Sequence, residues 1–146
     1  MTATFDDPRR PASPDELTRF HDRHALLLLA HAPAALRHEL DRLVASLDHG
    51  DAARIRDDYW RVFRQAVATE APPSGHLNAL LHAAARLRSS LADAEWQGLT
   101  RAIEQYAAGA ASLSQPLRLI RRYAVRDGQQ WLLDQVYLSP DQPPLQ

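Results

Sequence analysis

The chain has 146 residues, 45% apolar and 24% charged, and its 17 basic side chains face 18 acidic ones for a formal charge of −1. That length makes one compact domain with a real core and excludes two of ordinary size. The even balance excludes a global basic field, so any anionic polymer would be held by a local patch. Every basic side chain is arginine, and cysteine does not occur. Lysine Schiff bases, disulfides, Cys-ligated zinc, thiolate catalysis and Cys-held iron–sulfur clusters are therefore excluded within this chain. Forked guanidinium donors for phosphate are plentiful.

Residues 1–12 are polar and proline-broken and read as a flexible tail, without the basic-then-apolar pattern of a signal peptide. Ser13-Pro14-Asp15-Glu16 combines a serine cap, a proline at the first helical position and a glutamate three residues after the cap. The helix it opens is expected to run to about His31, where Pro33 stops it. Its stripe is Leu17, Phe20, His24, Leu27, Leu28 and His31, so two core-facing positions are histidines, with His21 beside them. Buried imidazoles need partners, because an unpaired buried polar group costs about 1–3 kcal/mol. Ala25 to Ala30 is apolar on every side, as in a helix surrounded by others, yet far short of the ~20 residues that span a bilayer. No membrane partner is expected, and a cytoplasmic location follows.

A second helix carries Leu36, Leu40, Leu43 and Leu47 and closes at His49-Gly50. Asp51 caps a third, with Ile55, Tyr59, Val62, Phe63 and Ala66 inward and Trp60 off the stripe. After Ala71-Pro72-Pro73, Ser74 opens a fourth, with Leu77, Leu80, Leu81, Ala84, Leu87 and Leu91 facing the core. A fifth begins near Asp93 and stops at Gly109; a sixth runs from Leu117 to about Val125; a short last one surrounds Trp131 to Val136. No stretch alternates with period two. The expected fold is all-α, a single compact bundle of six to seven short helices over residues 13–138, followed by a proline-rich tail, 139–146.

Three blocks carry a family resemblance. Phe20-His21-x-Arg23-His24-x-Leu26-Leu27-Leu28-x-Ala30-His31-x-Pro33 is the first, and His76-x-Asn78-x-Leu80-x-His82 the second. The third comprises Ile103-Glu104-x-Tyr106-x-x-Gly109, Pro116-Leu117-x-Leu119-Ile120-Arg121 and Gln135-x-Tyr137-Leu138-x-Pro140. Together they resemble the YbgA-like family, bacterial domains of unknown function. The chain departs from it at Ala25, where a lysine is usual, at Gly75, where an arginine is frequent, and at Ala84-Ala85, which replace a Gly-Tyr pair. Similar domains occur alone, often encoded near DNA photolyases, or fused behind desulfidase domains that remove sulfur from thiolated uracil with an iron–sulfur cluster. The resemblance implies the accessory half of such a system, engaging RNA while the cluster chemistry lies elsewhere.

Two sets of side chains are candidates for function. His21 and His24 are three apart and close enough to share a ligand, whereas His31 lies about 10.5 Å further along the axis. With Arg23, His76, Asn78 and His82 they form the candidate RNA or ligand pocket. With no His-Glu-x-x-His pattern, neither metal nor other cofactor is expected, and histidines satisfied by backbone carbonyls are the structural alternative. Arg118, Arg121, Arg122 and Arg126 crowd the sixth helix around Tyr123, a phosphate-and-stacking surface or else a solvated face. The expectation is a non-catalytic module that binds RNA, tRNA first, with a desulfidase or photolyase-type protein as possible partner. The competing readings are a histidine-centred small-ligand or metal-dependent enzyme and a protein–protein adaptor.

Overall fold

Ser13 caps the first helix as its sequence predicts. Its hydroxyl accepts from the Glu16 N–H at 3.2 Å, and Glu16 accepts in turn from the Ala12 N–H at 2.8 Å. The computed structural model describes residues 10–139; the remainder of both predicted tails lies outside the described residues. The order is α1 (Pro14–Arg23), α2 (Ala25–His31), α3 (Ala34–Ala45), α4 (Ala52–Ala68), α5 (Pro73–Leu87), α6 (Asp93–Ala107), α7 (Ser114–Asp127) and α8 (Gln130–Leu133). Single 3₁₀ turns follow α5 at Arg88–Ser90 and α8 at Val136–Leu138. The described residues are all-α, as expected. Arg10 pairs with Asp57, and Arg56 donates to the Ala12 carbonyl, so Arg10–Ala12 lies against α4.

One helix more than expected arises because the first predicted helix is two. At His24 the backbone leaves the helical region, with φ −103° and ψ 11°. In an unbroken helix the Leu26 N–H would bond the Asp22 carbonyl. Here the amide of Gln135 stands between them: Oε1 accepts from the Leu26 N–H at 3.1 Å and Nε2 donates to the Asp22 carbonyl at 2.8 Å. Both backbone groups are satisfied by a side chain more than a hundred residues away, and that insertion is the cause of the break. Nothing between Phe20 and His31 is a helix breaker, so the local sequence reads straight through.

The helix after the break is the centre of the fold. Leu28 joins one core with Leu17, Phe20, Leu40, Tyr59 and Phe63, built by α1, α3 and α4. Leu26 joins the other with Leu80, Leu87, Leu99, Ile120 and Leu132, built by α5 to α8. Expectations fail at Ser74, which lies inside α5 behind Pro73 rather than capping it, at Leu81 and at Trp60. Leu81 is 51% exposed, because the α5 surface that packs is Leu80, Ala83, Ala84 and Leu87 and Leu81 lies beyond its edge. Trp60 is buried despite its off-stripe spacing, because its ring stacks on Phe63 at 5.7 Å under the edge of α1.

Candidate functional site

Where α1 crosses α4 the side chains leave a groove of about 730 Å³. Its α1 wall is the face Glu16, Arg19, Phe20 and Arg23, at three-and-four spacing, continued by His24 and Leu27. Its α4 wall is Trp60, Phe63 and Val67. Arg10 and Pro11 close one end; Asp134 and Val136 close the other, where Gln135 grips the helix break. Phe20, Trp60 and Phe63 are buried. His24 is half-buried, and its ring stacks on Phe20 at 3.9 Å.

Of the charges around this groove Arg10 alone is ion-paired among the described residues. Glu16 accepts from Ala12, Asp22 from the Trp131 indole at 3.1 Å, and Asp134 from Gln130 at 2.8 Å. Arg10 is paired with Asp57. Arg19 and Arg23 are exposed and form no ion pair among the described residues; Arg19 donates only to the Asp15 carbonyl of its own helix, at 3.4 Å. The groove thus carries charges of both signs without an ion pair among the described residues: the carboxylates of Glu16, Asp22 and Asp134, bonded only to neutral donors, and the guanidinium groups of Arg19 and Arg23.

The candidate histidines fall into separate places. His21 lies between Asp41 Oδ1, 2.7 Å from Nε2, and the Tyr59 hydroxyl, 2.8 Å from Nδ1. A carboxylate only accepts, so Nε2 carries the proton and the Tyr59 hydroxyl donates to Nδ1. Burial, with the Asp41 charge adding to it, pushes the Tyr59 phenol far above its ordinary range. Tyr59 is fully buried, so this chain ties α1, α3 and α4 together. His24 Nδ1–H donates to the Phe20 carbonyl at 2.6 Å. Among the pocket candidates, Arg23 and His24 alone line the groove.

His31 and His76 form a second pair, with ring centres 6.0 Å apart. His31 Nδ1–H donates to the Thr69 carbonyl at 3.0 Å, leaving Nε2 buried with no hydrogen-bond partner. His76 Nδ1 shares a 2.6 Å hydrogen bond with the Tyr137 hydroxyl. Asn78 is half-buried and His82 is exposed about 9 Å further along α5 than His76, so neither joins the pair. Among the described residues no three His, Asp or Glu side chains are arranged to hold a metal ion.

Burial, and then the nearby His31, lowers the pKa of His76 below 6.5. The unfolded chain then binds the proton more readily than the folded one. The stability this contributes is present above pH 6.5 and lost as pH falls through the lowered value. The urea midpoint should therefore fall between pH 7 and pH 5, and this fall should be shallower in His76→Phe; equal slopes would remove His76 as its source.

The α7 arginines divide two and two. Arg126 pairs with Glu95 and Asp127 and lies over the half-buried Tyr123 ring at 4.9 Å. These bonds hold both carboxyls below their usual range and raise Arg126. Arg121 Nε donates to the Leu138 carbonyl at 2.7 Å, pinning the C-terminal turn that forms one end of the groove. Arg118 and Arg122 are exposed, one turn apart, and have no polar partner among the described residues.

Residues 26–141 match the family described as Protein of unknown function (DUF1722), a span covering most of the chain. The chain belongs to this family. The match begins at Leu26, just past the helix break, and takes in His31, His76, Gln135 and the α7 arginines. The α1 wall of the groove, including Arg19 and Arg23, precedes it. No curated protein and no solved structure matches the chain. Sequence reasoning missed Arg19, Trp60 and Phe63 as groove residues; the aromatic run Tyr59-Trp60-x-x-Phe63 on one helix was the available signal.

Proposed function

We propose that this chain is a non-catalytic helical module that binds RNA, tRNA in the first instance, in the cytoplasm. The observation that carries the reading is the pair Arg118 and Arg122, exposed at i and i+4 with no acid paired to them among the described residues. In a chain of balanced charge, a pair of uncommitted guanidinium groups one turn apart fits the phosphates of a polynucleotide backbone. The sequence resemblance to YbgA-like domains supplies the context: an accessory to an enzyme of thiolated-nucleotide desulfuration or of nucleic-acid repair. A structural role is the reading favoured for His21, bonded at both ring nitrogens to Asp41 and the buried Tyr59, and for His31, which is 3% exposed.

The test is a salt titration of tRNA binding by the native chain and by the double variant Arg118→Ala/Arg122→Ala. Each lost phosphate contact should flatten the slope of log affinity against log salt by about one unit. The variant should bind more weakly across RNA sequences, with a slope shallower by about one to two units. Both side chains are exposed, so stability should change by only about 0.5 kcal/mol per site. Equal affinities and slopes would remove α7 from the interface. Absence of binding at low salt would sink the RNA reading.

A further inference from the structure

The α7 arginines can hold a phosphate backbone, but a phosphate contact reads no base. Among the described residues three arginines lie over aromatic rings, and one differs from the others. Arg88 lies 4.9 Å from the centre of the Trp96 ring and is also paired with Asp93. Arg126 lies 4.9 Å from the Tyr123 ring and is paired with Glu95 and Asp127. Arg86 stands closest, its guanidinium carbon 3.6 Å from the centre of the Trp131 ring, and has neither ion pair nor hydrogen bond among the described residues. Arg86 is exposed near the end of α5, and the half-buried Trp131 beneath it is fixed. The indole N–H donates to Asp22 Oδ1 at 3.1 Å, and the next residue, Leu132, is fully buried. One and two turns back along α5, His82 is exposed and Asn78 half-buried, and neither side chain is hydrogen-bonded among the described residues. The spacing i, i+4 and i+8 sets Asn78, His82 and Arg86 in a row about 12 Å long.

We propose that the outer side of the Arg86–Trp131 stack seats one unstacked base of a single-stranded RNA, with His82 and Asn78 meeting the edge of the neighbouring base. The proposal deepens the RNA reading and rests on it: α7 supplies contacts common to every phosphate backbone, and the α5 row adds a preference for open strands. In a duplex both faces of a base are covered by its neighbours, so only an unstacked nucleotide offers a face to the guanidinium. Arginine planes and aromatic rings are the surfaces on which such bases stack, and here one backs the other. A guanidinium already in contact with a fixed ring loses little further freedom when a second planar group meets it. Imidazole and carboxamide groups are suited to the donors and acceptors of a base edge. The Asp22 carboxylate lies beside the indole, where it opposes a phosphate but not a neutral base.

The test is fluorescence anisotropy at low salt with the full chain and two labelled strands of about ten nucleotides, oligouridylate and a ribose-phosphate strand lacking bases. Arg86→Lys is the variant, because it keeps the charge, gives up the planar group and changes an exposed position that the fold tolerates. The native chain should bind oligouridylate about fivefold or more tightly than the strand without bases, the increment of one stacked base. Arg86→Lys should lose most of that increment. Its affinity for the strand without bases and its salt slope should stay native, since no charge is lost. Native oligouridylate affinity in Arg86→Lys would overturn the base seat while the RNA reading stands. An equal loss on both strands would assign Arg86 to the backbone or to the fold, and would overturn the seat as well. No binding of either strand would sink both the seat and the RNA reading.

Discussion

Replacing Gln135 by Leu should destabilise the fold more than any exposed substitution, although the two side chains are of similar size. Gln135 is 1% exposed, and its amide is the sole link between the Leu26 N–H and the Asp22 carbonyl across the helix break. Leucine leaves the buried Leu26 N–H unpaired, at a cost of about 1–3 kcal/mol, and removes a donor from the part-buried Asp22 carbonyl. Gln135→Glu separates the two halves of the interaction. Its carboxylate can still accept from Leu26 but cannot donate to Asp22, and it places a charge in a site that is 1% exposed. Urea denaturation should therefore rank the proteins native, then Leu, with Glu last at neutral pH and partly recovering as pH falls and the carboxyl protonates. A different result is physically conceivable: α1 and α2 could close into one helix, with Leu26 bonding Asp22 directly. A Leu variant within about 0.5 kcal/mol of native, the range of a neutral surface change, would mean that healing occurs and that the amide does not hold the break.

Gln135 also marks where the sequence stops being legible. The caps at Ser13 and Asp51, the stop at Pro33 and the left-handed glycines at Gly109 and Gly128 are local events, and each is readable from a few neighbouring residues. The stripe Leu17, Phe20, His24, Leu27, Leu28 and His31 likewise predicts burial, because period alone fixes which face turns inward; His24 departs from it, half-buried where the helix breaks. The break at His24 is decided by a side chain 111 residues further along, and no window of periodicity contains that fact. The groove is similar. Arg23 and His24 draw attention as part of a motif, but Trp60 and Phe63 become their neighbours only through the packing of α1 on α4. Arginine density on α7 is visible in one dimension; that Glu95 neutralises Arg126 from α6 is not.

Two glycine-to-alanine substitutions should move stability in opposite directions, and the contrast tests the packing of α2 on α5. Both glycines are helical, Gly75 near the start of α5 and Gly98 inside α6. A Cβ at Gly98 meets nothing within 4 Å. Gly98→Ala should therefore gain up to about 1 kcal/mol, the difference in helix propensity, part of which comes from a less free unfolded chain. A Cβ at Gly75 would stand 2.1 Å from the Ala30 carbonyl oxygen and 3.0 Å from its carbon. Those are backbone atoms of the central helix, and no rotamer change relieves the overlap. The N-terminal end of α5 must withdraw from α2, which disturbs the helix shared by both cores. Overpacking of this kind costs about 1–3 kcal/mol and outweighs the propensity gain. The same overlap bars any larger side chain at this position from this arrangement of α2 and α5 unless the backbone moves. Thermal melts of the two variants beside the native chain decide the matter. A Gly75→Ala protein as stable as Gly98→Ala would mean that α5 does not approach Ala30 this closely in solution.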